Sequence, residues 1–435
     1  MLLGNVFQQM YNVVDSMVVG RFIGKDALAA VGTSFPLIFM LISFVIGITM
    51  GFTIIVSQYF GAKEMDNVKK SINTLYVFLF FASIVLTALG VVSAEPVFRM
   101  IDLDPSIIPQ AKRFMIIYFA GMIFLFGYNG TSAILRGLGD SRTPLYFLIG
   151  SVVLNILLDL LFVLVFHWGV GGVATATVLS EAFAFFAQIV YLNKYHKVVR
   201  FSIKDLKFDR TIFRKGIRIG LPTGFQQTFV AAGMLGLYWI VNRFGVDANA
   251  AYSTAGRIDS FAAMPAMSFS AALSTFVGQN LGANRPDRVK KGLWKTFLMS
   301  GAIAVGISVI TVFFGHYLMR MFTTDTRVIE LGKQYLLIIG SSYLIFSAMF
   351  TINGLLRGAG DTLVPMFISL FSLWIIRIPV AYLLSSIPTI GIIGVFWSIP
   401  IGWASGTILY YLYFLSGRWK TKGVVRYTDN GDKRA

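Results

Sequence analysis

Asn5, Gln8, Asn12 and Asp15 follow one another at steps of three, four and three inside an otherwise apolar stretch. That spacing sets them on one face of a helix, with Tyr11 beside the stripe. Further along, Asn155 and Asp159 lie four apart within NILLDLLFV and again share a face, and Thr177 falls in the next apolar run. Two carboxylates, an amide and a hydroxyl are hard oxygen donors of the kind a small cation prefers. Without a metal the two acids would share one proton, because two like charges cannot both be carried in a low dielectric. The expected chemistry at Asp15, Asn155, Asp159 and Thr177 is reversible occupancy by Na+ or H+.

These residues can meet only if their helices bring them to one depth. Apolar residues make up 56% of the chain and charged residues 13%, against about a quarter charged in soluble domains. Runs long enough to cross a hydrocarbon core of about 30 Å fall near 2–22, 27–56, 71–94, 111–135, 145–166, 171–192, 220–243, 250–277, 293–314, 334–356, 365–385 and 390–415. The expected fold is an all-α integral membrane protein of twelve spans. At about 1.5 Å per residue, Asp15, Asp159 and Thr177 all come roughly 10 Å below the outer surface. They share a layer.

Residues 57–144 align without a gap with 278–365: SQYFGAKEMDNVKK answers GQNLGANRPDRVKK, and LRGLGDSRTP answers LRGAGDTLVP. Self-similarity over that length means a duplicated unit, here two parallel six-helix lobes, a common transporter design. The expected division is an N-terminal lobe over 1–192, a basic cytoplasmic connector over 193–219, a C-terminal lobe over 220–415 and a cytoplasmic tail over 416–435. Asp15, Asn155, Asp159 and Thr177 fall opposite Leu237, Ile376, Val380 and Ile399, so the second lobe keeps the scaffold and lacks the oxygens.

The net charge of +17 invites a nucleic-acid reading, but its distribution argues otherwise. Most Lys and Arg lie in the loops after even-numbered spans, the connector and the tail, which is the positive-inside pattern and places both termini in the cytoplasm of a cell (inner) membrane. The connector reads as an amphipathic stretch lying on anionic lipid. Met1 falls directly on the first span, from which a longer native N-terminus is expected. There is no cysteine, no GxxxxGK[ST] phosphate loop and no HExxH, so neither a thiolate site nor ATP hydrolysis is expected, and no cofactor beyond a coupling ion. His167, His196 and His316 are too far apart for a ligand set. The driving energy must then come from a gradient.

Other intramembrane polar residues need partners as well. Asp259 and Arg377 lie at similar depth in the second lobe and are expected to form an ion pair, because a lone buried charge is far more costly than a paired one. Arg257 sits nearer the interface. Glu181, mid-depth in the sixth span, is either a further member of the first-lobe site or a packing contact. Tyr128 and Met264, with Met10, Phe35 and Met267, are candidates for an adaptable pocket wall, since thioethers and rings repack around varied ligands; core packing is the plainer account of each. Pro36 and Pro265 free backbone groups mid-span and are candidate bending points. The loop motifs around Gly61, Gly282, Asp140 and Asp361 read as tight turns and close helix contacts.

The run GNVFQQMYNVVDSMVVGRFIGKDALAAVG, the paired SQYFGA and GQNLGA, the paired LRGLGD and LRGAGD, and NILLDLLFV resemble the multidrug and toxic compound extrusion (MATE) family over nearly the whole chain. That resemblance implies a V-shaped, monomeric, two-lobed transporter that alternates access and exports amphipathic, often cationic organic compounds in exchange for Na+ or H+. It also implies cation binding at Asp15, Asn155, Asp159 and Thr177, and substrate contact at Gln8 and Tyr11 on the stripe that also carries Asn12. Residues 220–242 and 334–355 contain neither Asp nor Glu, so the second-lobe acids of the NorM-like branch are missing and the closer likeness is to the DinF-like side. Two rivals remain at this point. A lipid-linked oligosaccharide flippase of similar architecture should face its cavity with several Arg or Lys, and a membrane-embedded enzyme needs a reactive cluster that the sequence lacks.

Overall fold

The computed structural model describes residues 2–101, 103–196, 200–425 and 427, without the side chains of Met10, Asn12, Val13 and Ile203. Substantially all of it is helix. The first repeat runs α1 (Leu2–Val18), α2 (Lys25–Gly61), α3 (Met65–Met100), α4 (Ile108–Ala120), α5 (Met122–Gly137), α6 (Arg142–Leu160) and α7 (Val170–Tyr195). The second runs α8 (Arg210–Asn242), α9 (Val246–Gly282), α10 (Pro286–Arg320), α11 (Thr326–Gly340), α12 (Tyr343–Gly358), α13 (Leu363–Leu370), α14 (Ile378–Ser385) and α15 (Ile393–Leu415). Eight helices are long and apolar enough to cross a membrane, or ten when α4 with α5 and α11 with α12, each bent by 50°, count as one span apiece. The more polar α1 and α8 complete six spans per repeat. α1 is shorter, at 17 residues, and carries Gln, Asn and Asp; α8 carries Gln226 and Gln227 as well as Arg and Lys in its first turns.

The chain divides into two compact units, Leu3–Gly224 and Phe225–Ala435. The boundary therefore falls inside α8, some way past the connector's expected end. The basic segment from Arg210 is the start of that helix, and Lys215 Nζ donates to Tyr59 Oη at 3.0 Å in the first unit. The residues of the expected tail beyond Tyr427 lie outside the described residues.

The repeated loop motifs explain how each unit closes on itself. In LRGLGD and LRGAGD the second glycine of the turn, Gly139 or Gly360, has φ of 94° or 88°, a left-handed backbone that glycine adopts without strain. The glycine before it permits close helix approach. A Cβ on Gly358 would lie 2.3 Å from the Ser274 carbonyl oxygen, and one on Gly137 would lie 3.0 Å from that of Thr53. Small residues at such crossings are the usual means by which membrane helices pack without a hydrophobic driving force. Asp140 then accepts from the Arg142 and Thr143 amides at 3.1 and 3.0 Å, satisfying the first turn of α6. In the second unit an aromatic core joins Tyr252 to Tyr335 and Tyr335 to Phe396, with ring centres 5.5 and 5.2 Å apart.

Candidate functional site

In the first unit, π-turns distort the helices directly beyond both aspartates. One, Val19–Ile23, continues α1; the other, Leu161–Val165, continues α6, and the two touch each other and α7. Such widened turns leave carbonyls unpaired and re-aim the preceding side chains, which is why they recur at functional sites. Asp159 closes α6 at 0% exposure, Asn155 sits one turn earlier at 1%, and Thr177 enters from α7 at 5%.

Asn155 ties the cluster together. Its Nδ2 donates to Asp15 Oδ1 and to Asp159 Oδ2, both at 3.2 Å, while its Oδ1 accepts from the Thr177 backbone amide at 3.3 Å. This amide orientation is assigned, because the reverse would set its oxygen against two carboxylates. Tyr11 Oη donates to Thr177 Oγ1 at 3.0 Å, and Thr177 Oγ1 donates to the Val173 carbonyl at 3.1 Å. The two carboxylates are close enough to hydrogen-bond each other when one carries a proton. Among the described residues, Asp159 Oδ1 is buried without a hydrogen-bond partner. A buried carboxylate oxygen left over inside a lipid-level bundle is what a cation or proton would satisfy. The donor set fits Na+ as well as H+: two carboxylates, the Thr177 hydroxyl and, after rotation of its amide, the Asn155 oxygen.

The remaining candidates fall in different places. Tyr11 belongs to the cluster itself. Glu181, one turn beyond Thr177, interacts electrostatically with Asp15, and Tyr118 of α4 with both acids; Tyr118 was missed by sequence reasoning, and its only signal there was a phenol inside a span. Gln8 is exposed on α1 and Tyr128 is half-buried on α5. The Asn12 side chain lies outside the described residues. Met264 is only 7% exposed within the second unit, so it presents almost no surface to a ligand.

The ion pair expected between Asp259 and Arg377 is not formed. Contacts within 4.0 Å among the described residues include Lys112 with Glu95 at 2.7 Å and Arg327 with Asp247 at 3.4 Å, but not this pair. Arg377 is buried and Asp259 half-buried in the second unit, and Asp259 Oδ1, Arg377 Nε and Tyr343 Oη each lack a hydrogen-bond partner. Arg377 still acts electrostatically on Asp259, which in turn acts on Tyr252, Tyr335 and Tyr343, and Gly402 of α15 packs on the Arg377 stem at the end of a third π-turn, Phe371–Arg377.

A duplicated helical membrane protein with a buried two-carboxylate site in its first repeat is the class that fold and site define. The MatE family model matches residues 1–161 and 222–383, and the chain belongs to that family. It is 34% identical over 440 residues to the probable multidrug resistance protein YoeA of Bacillus subtilis, covering 98% of this chain and 93% of that protein. It is 28% identical over 428 residues to the probable multidrug resistance protein NorM of Thermotoga maritima, covering 97% and 91%. Among solved structures, a crystal structure of MATE in the bent conformation superposes with a TM-score of 0.90 at 21% identity, over 97% of this chain and 94% of that one. The family is one of multi-span membrane transporters, and that is the class of this chain.

Proposed function

We propose that this chain is a secondary active multidrug exporter of the cell membrane, with both termini cytoplasmic, working as a monomer and releasing amphipathic, often cationic compounds in exchange for Na+ or H+. The observation that carries the proposal is Asn155 bridging Asp15 and Asp159 beside an Asp159 oxygen that has no partner among the described residues. The names of the relatives, multidrug resistance proteins, support the cargo class. The absence of acids from 220–242 and 334–355 supports a place on the DinF-like side of the family.

The geometry gives a mechanism within the first unit. When the site is empty of a cation, the Asn155 amide donates to both acids and holds α1 to α6. Arrival of Na+ or H+ removes the charge that those N–H groups satisfied, and the amide is free to rotate its oxygen inward. Because Tyr11 reaches Thr177 from α1, any such rearrangement alters the packing of α1 against α7. Cargo held beside Gln8 and Tyr11, with Tyr128 as a further wall, is then released. A ligand shifts an equilibrium only by its differential affinity for the two states, so cation and cargo must oppose one another for α1 packing. Efflux of a cationic dye from vesicles, driven separately by a Na+ and by a proton gradient, tests this. One of the two gradients should drive export by the parent and not by Asp15→Asn; parent-like export by that variant would overturn the assignment.

A further inference from the structure

Away from the acidic cluster, the first unit contains a cavity of about 70 Å³ between α2 and α5, several times the ~15 Å³ that one water needs by this measure. Its walls are mostly apolar, among them Ile42, Met50 and Phe126, and its polar end is Arg136, with Asn129 alongside. Arg136 makes no ion pair and no hydrogen bond among the described residues; only the neutral phenol of Tyr128 acts on it electrostatically. Its counterpart in the second repeat, Arg357, donates to Gln226 at 2.8 Å. In the second repeat Phe350 stands where the first has Asn129, its ring centre 4.5 Å from that of Phe346.

We propose that this cavity is a binding site for one monovalent inorganic anion, chloride in the cell, held by the Arg136 guanidinium and the second amide proton of Asn129. The first amide proton is spent on the Leu125 carbonyl at 2.9 Å. The nearby Thr49 and Thr53 hydroxyls are likewise spent, on the carbonyls of Val45 and Thr49, so the guanidinium and one amide proton are the available donors. One cation among uncharged walls balances one negative charge; a dianion would bring a second charge with nothing to pair it. The volume excludes a drug-sized organic acid. A bound anion would neutralise the one charged group among the described lining residues.

The test uses purified full-length protein in detergent, transferred from sodium gluconate into sodium chloride at constant ionic strength. Chloride should raise the melting temperature saturably, by about 1–2 °C at tenfold saturation, and sulfate should not. Arg136→Gln should remove the chloride dependence, and so should Asn129→Phe, which puts the second repeat's residue at this position and fills the space while keeping the arginine. Crystals of the parent grown in bromide should show an anomalous peak beside Arg136, a readout that survives even if either variant fails to fold. Equal melting of the parent in chloride and gluconate, a bromide map with no peak in the cavity, or full chloride dependence in both variants would each overturn the proposal.

Discussion

Replacing Asp159 by asparagine removes a charge at nearly constant shape, and the surroundings say what should follow. The new amide oxygen can still accept from Asn155 Nδ2, as Asp159 Oδ2 does now at 3.2 Å, and the new amide nitrogen takes the place of an oxygen that has no partner. The bundle should therefore fold with the site neutral on that side. A coupling ion loses one of its two carboxylates in a fully buried position, where removing one member of a charge pair costs about 3–5 kcal/mol. That corresponds to roughly 10²- to 10³-fold or more in ion affinity, so gradient-driven dye efflux from reconstituted vesicles should fall at least about 100-fold, with the amount of folded protein unchanged. Efflux above half the parental rate in monodisperse, correctly inserted protein would refute the reasoning that Asp159 holds the ion.

Tyr11→Phe removes the donor to Thr177 and should cost about 1 kcal/mol in thermal unfolding, while shifting the apparent affinity for the coupling ion; an unchanged ion dependence would detach Tyr11 from the site. Gly358→Ala forces a methyl to 2.3 Å from the Ser274 carbonyl oxygen and should destabilise the second unit by about 1–3 kcal/mol. Gly256→Ala on α9, where a Cβ meets nothing within 4 Å, should be neutral or slightly stabilising in the same melting assay. In the loop after α3, Asp104 accepts from the Ser106 hydroxyl and amide at 2.7 and 2.9 Å, bonds that hold its carboxyl below the usual range. A depressed folded value stabilises the charged form, so protection of the Ser106 amide from hydrogen exchange should persist above the ordinary carboxylate range. It should be lost as pH falls through the depressed value.

How much was legible depended on whether a property follows from position along a helix or around it. Depth follows from counting residues, and counting placed Asp15, Asp159 and Thr177 in one layer where the structure joins them through Asn155. Face follows from steps of three and four, and Asn155 and Asp159, four apart on α6, do meet. Azimuth between helices does not follow from either. Asp259 and Arg377 are matched in depth and interact electrostatically, yet make no contact within 4.0 Å, and nothing in their spacing encodes the distance between their helices. The bends between α4 and α5 and between α11 and α12 were hidden for a different reason. Each lies inside one apolar run, and Gly121 and Ser341–Ser342 carry no proline to mark a break. The cavity beside Arg136 needed the paired repeats, since Asn129 acquires meaning only against Phe350.

The central claim is that cargo and coupling ion exclude one another through the acidic pocket of the first unit. Adding a cationic dye substrate to the purified protein in weakly buffered solution, once with a pH electrode and once after loading with radioactive sodium, measures that exclusion directly. Dye binding should displace protons or sodium from the parent and neither from Asp15→Asn or Asp159→Asn. Dye binding by the parent with neither ion displaced, or undiminished displacement in both variants, would contradict it.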